Sequence, residues 1–452
     1  MIAWNADAAR HLLARCLFGY TRANLSKALS YASVDDFVSK ELLADLAQPA
    51  PPNTWVTETP VANDPNTGTR YAELATWWLK QMLTESTSMR EKMVLFWHNH
   101  FVSDREKVNY PQHMYQQNAL FRTYAFGDFR QFTKAVTINP AMLIYLDGRQ
   151  NNKNAPNENY GRELMELFTL GIGNYTETDV KQAALSLTGW SVSGLNSVFN
   201  KNNFADKDKT FLGKTGNFTY TDIVDIILTK DAAAEFVCRK LYKEFIFYKP
   251  NEAFVKQMAD VFRKANYSIK AALQYMLTSD EFFKLEYRGA KIKNPVELSV
   301  GSLKFLNISN PDFSYVADTS RTLQQFLFYP PNVAGWPGQR EWISSNTYPA
   351  RGGFSDSLVN GRKSNGGNLS FKVVPLDYAR SYKSSEDAPQ FVKDVINLML
   401  VVSPTATKEK LLLDTLLDGT IVANWSTNTP MADLRIQKFL KAVMRLPEYQ
   451  LT

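Results

Sequence analysis

Apolar residues recur along this chain at intervals of three and four, the spacing that lines one side of an α-helix. In the first third the stretches 9–18, 34–46, 71–85, 88–97, 111–125, 129–138 and 141–146 all carry it. Their boundaries have matching chemistry. Gly19 follows the first, Ser86 or Ser88 can cap the fourth, and Pro140 precedes the last, where a missing N–H costs nothing. The centre repeats the pattern over 157–170, stopped by Gly171, and over 178–188, capped by Thr176 or Thr178 and stopped by Gly189. Between 191 and 220 it breaks into Asn, Lys, Gly and isolated Phe, an irregular excursion with room for a small β-hairpin.

Helical spacing returns at 221–228, 231–245, 251–265 and 269–276. Asn294-Pro295-Val296-Glu297 is a capping box with proline at the first helical position, opening a helix to Leu306. A loop rich in Pro, Gly and Trp follows at 329–351, periodicity is poor over 352–377, and helices at 388–401, 407–417 and 431–445 come last. No internal repeat is visible. The expected fold is mainly α: one large multi-helix body with long inserted loops. Residues 1–374 form the part that carries the site, and helices in 375–452 pack on it or form a bundle of their own.

Composition narrows the class. Of 452 residues 44% are apolar, enough for a sizeable core without disulfides. Cys16 and Cys238, far apart and without metal-like spacing, read as buried thiols. The net charge of +6 comes from well-interspersed residues with no Lys/Arg run, so nucleic acid is not an expected partner. No stretch approaches the ~18 consecutive apolar residues of a membrane span. The segment Met1-Ile2-Ala3-Trp4-Asn5-Ala6-Asp7 lacks the basic-then-apolar order of a signal peptide. A cytoplasmic location is expected, or a periplasmic or surface one if the chain leaves with an exported partner or has a leader outside this sequence.

Candidate chemistry concentrates in three places. Phe96-Trp97-His98-Asn99-His100-Phe101 contains two of only four histidines. On an ideal helix residues i and i+2 point about 200° apart, so His98 and His100 share a metal only at a helix end or in extended chain. They read as metal ligands, as acid–base groups, or as a polar layer of the core. In the second place, 157–167, Glu163 and Glu166 stand i, i+3 and Glu158 and Arg162 i, i+4. This suits a divalent metal, an acid/base pair or an ion-pair network. The neighbouring segment 147–158 resembles a calcium loop only superficially, because Arg149 and Asn152 occupy positions where a ligand and a glycine are needed. Third, prolines and glycines stiffen and bend Tyr329-Pro330-Pro331-Asn332-Val333-Ala334-Gly335-Trp336-Pro337-Gly338. With Trp342 it suits recognition of a sugar ring, the wall of a pocket, or a plug in the core. The chain has no phosphate loop, dinucleotide fingerprint, nucleophile elbow or His-Glu-x-x-His.

Several of these strings together resemble the bacterial family known as domain of unknown function 1800. They are Trp97-His98-Asn99-His100-Phe101, Asn157-Glu158-Asn159 with Arg162-Glu163-Leu164-Met165-Glu166-Leu167-Phe168-Thr169-Leu170-Gly171, Leu187-Thr188-Gly189-Trp190, and Pro331-Asn332-Val333-Ala334-Gly335-Trp336. The resemblance runs from Ala9 to Gln450 and implies no particular reaction. It implies a partner, because members are often encoded beside an exported, sulfatase-like protein. One departure stands out: where similar sequences carry His-Asp before Lys-Thr-Phe-Leu-Gly, this chain has Phe204-Ala205.

Two functions are expected. In the first, a metal-assisted hydrolase-like enzyme acts on a sugar or surface-glycan derivative. His98, His100 and Glu163 hold a divalent metal, Arg162, Glu163 and Glu166 are catalytic, and Asn157, Trp336 and Trp342 bind substrate. The alternative is a non-catalytic binding or assembly module that partners the sulfatase-like protein or binds carbohydrate. A metal-free carboxylate pair comes third, because Glu163 and Glu166 on one helix turn lie close for flanking a scissile bond. Geometry separates the first two: the enzyme needs His98, Arg162 and Glu163 on one open cleft, and the module has them sealed inside or presents the Trp336 loop.

Overall fold

A computed structural model describes residues 2–363 and 369–452. Its framework is helical, and among the described residues the only sheets are three two-stranded antiparallel pairs. A contiguous apolar core runs from Ala9 in the first helix to Tyr449 near the chain's end. Both cysteines are buried and unpaired. Among the described residues no helix is long and apolar enough to cross a membrane.

The helix Arg90–His100 sits at the centre. Every residue in it except Asn99 is buried, although three of its first four positions are charged. Those charges are internally paired. Glu91 accepts from Arg122 at 2.6 and 2.8 Å and from the Trp78 indole at 2.8 Å, and Arg90 pairs with Glu85 at 2.6 Å. Lys92 is joined to Glu297 of the helix Pro295–Phe305. A helix buried on all sides needs such satisfaction, since an unpaired buried charge costs several kcal/mol. Its start differs from the sequence expectation in detail: Met89 holds the cap position and Ser88 Oγ accepts from Arg90 N at 3.1 Å.

The helix expected over 157–170 is α-helical only over Asn159–Glu163 and then widens into a π turn, Leu164–Thr169. There Leu170 N and Gly171 N both return to Met165 O, at 2.8 and 2.9 Å. The capping boxes at Thr176/Asp179 and Asn294/Glu297 form as the sequence indicates. The excursion after Gly189 holds two hairpins rather than one, Trp190–Ser193 with Asn196–Phe199 and Lys209–Phe211 with Lys214–Gly216. The helices Arg22–Leu29, Phe313–Thr322 and Thr347–Asn360 were not visible as periodicity. The last includes Pro349, Gly352 and Gly353, and tertiary contacts hold it: the buried Arg351 donates to Gln450 Oε1 and Lys293 O, both at 2.7 Å.

The end of the chain returns to the centre. Residues 291–293 exchange backbone hydrogen bonds with 450–452, among them Thr452 N to Lys291 O and Lys293 N to Gln450 O, both 2.8 Å. Thr452 Oγ1 donates to Ala14 O at 2.8 Å. Nearby, the first helix and Pro295–Phe305 meet at two glycines: a Cβ on Gly19 (φ +70°) would lie 2.6 Å from Gly301 Cα.

Candidate functional site

The last turn of Arg90–His100 sends three polar side chains to three surroundings. His98 enters the core, its ring 5.4 to 5.7 Å from those of Phe328, Trp78 and Trp336. Its Nε2 has no hydrogen-bond partner, and burial brings its pKa down to about 3, so it is a neutral imidazole.

His100 is also buried, but both ring nitrogens are engaged. Nδ1 lies 3.2 Å from Lys240 Nζ, and Nε2 lies 3.0 Å from Phe168 O. An ammonium can only donate, so Nδ1 accepts, and the ring proton on Nε2 is donated to the carbonyl. Lys240 donates again to Leu167 O at 2.8 Å. Both carbonyls belong to the π turn, so the two sequence motifs meet through its backbone rather than through its carboxylates. Burial first, and then the Lys240 charge, hold His100 well below its ordinary pKa.

Asn99, between the histidines, was given no role in the sequence reading, and it holds the Trp336 loop. Its Oδ1 accepts from Trp336 N at 2.6 Å and its Nδ2 donates to Trp336 O at 3.3 Å. Gly335 beside it has φ +84°, and a Cβ there would overlap Asn99 Oδ1. An Asn-x-x-Gly-Trp loop and a distant Asn are the only sequence signal of this clamp.

The clamp closes one side of a cavity of about 380 Å³, lined by His100, Lys240, Lys243, Lys291, Trp336 and Trp342. Two carboxylates, Glu244 and Glu297, complete its charged lining. Glu297 is committed elsewhere: it joins Lys92 and accepts from Asn294 N at 2.7 Å. Lys291 is 6% exposed, and its closest carboxylate, Glu244, is 3.9 Å away. Its ammonium donates no hydrogen bond within the described chain. Burial pushes the pKa of Lys291 down to about 8, with Glu244 pulling back, and burial brings Lys240 to about 8 as well. Neither the Trp336 nor the Trp342 indole N–H is bonded within the described residues.

The other expected site residues lie elsewhere. Arg162, about one-third exposed, forks onto Glu177 at 2.6 and 2.7 Å and touches Glu158 at 3.4 Å. Glu166 accepts from Tyr175 OH at 2.8 Å. Glu163 makes no ion pair among the described residues, and burial followed by the charge of Glu166 raises its pKa. Asn157 structures its own loop, donating to Asn151 Oδ1 and accepting from Asn159 N, both at 2.9 Å. None of these four lines the cavity. The metal expected on His98, His100 and Glu163 therefore has no assembled ligand set: among the described residues no three His, Cys, Asp or Glu side chains are placed to hold an ion. The physical reason is the helix itself, which turns His98 into an aromatic cage and His100 onto backbone carbonyls.

Phe204 and Ala205 are buried too. Ala205 N donates to Thr188 Oγ1 at 2.9 Å, and the Lys209 ammonium sits 4.4 Å from the Phe204 ring. The Leu187-Thr188-Gly189-Trp190 string thus anchors the hairpin excursion, with Trp190 packed on Phe199 and Tyr220.

Neither a curated protein nor a solved structure matches the chain. Residues 11–451 match the family described as Protein of unknown function (DUF1800), and by that near-complete match the chain belongs to this family.

Proposed function

We propose that the protein binds a small anionic, hydroxyl-bearing ligand, an acidic sugar or glycan fragment, in the cavity between Lys240, Lys291 and the Trp336–Trp342 loop. The observation that carries this reading is Lys291, a buried ammonium facing a cavity with no hydrogen bond of its own. Such a group is costly to keep charged in isolation and gains strongly from a carboxylate or phosphate placed against it. Three lysines, Lys240, Lys243 and Lys291, line the cavity with two carboxylates, Glu244 and Glu297, and Glu297 is already neutralised by Lys92. The lining therefore favours an anion. The free indole N–H groups of Trp336 and Trp342 supply donors for hydroxyls, and their rings supply apolar walls. A binding module is preferred to a metal-assisted hydrolase because the side chains expected to hold the metal do not converge.

Glucuronate and glucose 6-phosphate serve as probes, read by calorimetry and thermal shift near neutral pH. One of them should bind, with Lys291→Met weakening it at least tenfold, Lys291→Arg keeping part of the affinity, and Arg162→Ala leaving it unchanged. Failure of both probes to bind, or equal affinity in Lys291→Met, rejects the proposal.

A further inference from the structure

A second cavity, of about 680 Å³, shares one lining residue with the first, Trp336. Tyr71 from the helix Thr67–Thr84 forms its floor, and Arg105, Arg321, Phe326 and Tyr329 line its sides. The two arginines are its distinguishing feature. The Arg105 guanidinium stacks 4.4 Å from the Tyr71 ring and 5.3 Å from the Phe326 ring, and that of Arg321 stacks 5.0 Å from Phe326. Neither is paired with a carboxylate among the described residues.

One carboxylate, Glu106, also lines the cavity, and it and the adjacent Asp104 are engaged with other partners. Glu106 accepts from Tyr329 OH at 2.5 Å, and Asp104 caps its own short helix by accepting from Glu106 N and Lys107 N at 2.8 and 2.9 Å. Two guanidinium groups gathered on one aromatic wall repel each other, and Arg105 loses some of its hold on the proton through burial and then through the Arg321 charge. Both guanidinium groups lie over aromatic rings and donate no hydrogen bond among the described residues, so their N–H groups are available to an oxyanion.

We propose that this cavity is a second ligand site, distinct from the lysine-lined one, that takes an oxyanion group (phosphate, sulfate or carboxylate) carried on a flat or apolar body. The oxyanion sits between Arg105 and Arg321, and the body lies against Tyr71 and Phe326.

The test uses the whole chain with phenyl phosphate, phenyl sulfate and benzoate as probes, and inorganic phosphate as the arm that separates a free anion from one on an aromatic body. Affinities are measured by calorimetry at fixed ionic strength. At least one aryl probe should bind, more tightly than inorganic phosphate. Arg321→Gln, at an exposed position that leaves the fold intact, should weaken it at least tenfold, Arg105→Gln/Arg321→Gln should abolish it, and Lys291→Met should leave it unchanged. Inorganic phosphate binding as tightly as every aryl probe overturns the assignment of the flat body. Absence of binding by all probes overturns the site, as does affinity that survives in Arg321→Gln or disappears in Lys291→Met.

Discussion

A buried lysine whose only ion pair is long, as Lys291 has with Glu244 at 3.9 Å among the described residues, lowers the stability of the chain that holds it. Its unfolded pKa is near 10.5 and its folded pKa is about 8, so between those values the unfolded state binds the extra proton and stability rises with pH. Below pH 8 the full penalty stands, roughly 3 kcal/mol for Lys291. An anion that enters the cavity relieves it. Affinity for an acidic ligand should therefore be highest below pH 8 and fall as Lys291 deprotonates above it, while the bound ligand raises the lysine's pKa. Carbon-13 NMR of dimethylated lysines checks both; a Lys291 signal that titrates near 10.5 with and without ligand contradicts the argument. The buried imidazoles work in the same sense at lower pH. His11 and His98 are both brought down to about 3 by burial. Stability is whole above pH 6.5 and is lost as pH falls toward 3, because only the unfolded state takes up those protons. Each histidine accounts for roughly 2 kcal/mol of that loss at pH 5. Melting temperature should drop steeply over this range, and His98→Phe, which also removes an unpaired buried nitrogen, should flatten the drop.

At the scale of elements, the Asn99–Trp336 clamp makes a separable prediction. Asn99→Ala should cost about 1–3 kcal/mol through two lost hydrogen bonds and alter Trp336 fluorescence. Gly335→Ala alone should cost more through overlap with Asn99 and the positive φ, whereas the double variant should cost less than the sum, because it removes the overlap with Asn99 Oδ1 and keeps only that with the Asn99 carbonyl oxygen, 2.7 Å away. Urea unfolding of the four proteins measures this coupling, and strict additivity would show that the contact is idle. The same elements show what was legible in the sequence. Helix caps at Thr176 and Asn294, and the breaks at Gly19 and Gly171, rest on local chemistry and were readable from adjacent residues. The π turn was not, because whether a turn widens depends on what takes its carbonyls, and here those partners are His100 and Lys240, far off in sequence. Trp336 and Trp342 were read as a sugar-binding surface, a pocket wall or a core plug, and both line the cavity; Lys291 was not singled out, since an isolated lysine in Lys291-Ile292-Lys293 shows no local sign of burial. The carboxylates of 158–166 stood out by their i, i+3 and i, i+4 spacing on one helix face, and that spacing fits a surface network as well as a site.

Across the whole molecule, charge is distributed in two regimes. Around the central helix, Glu91 and Arg122 are sealed from water, with side-chain exposures of 2% and 0%. Removing one partner there leaves an uncompensated charge, so Arg122→Met should destabilise by about 3–5 kcal/mol. The Arg162 cluster is partly solvated, and Arg162→Ala should cost about 1 kcal/mol or less, more weakly still at high salt. Chemical denaturation of both variants in low and high salt discriminates the regimes. Similar losses would place Arg162 in the structural interior.

Trp336 is shared by the lysine-lined and arginine-lined cavities, fixed at its backbone by Asn99 and packed on His98. Binding at two sites of one molecule is thermodynamically reciprocal: whatever factor an occupant of one imposes on affinity at the other is returned unchanged in the opposite direction. Trp336 is the one residue common to both linings, so a displacement of its ring by either occupant is the direct route by which such a factor would arise.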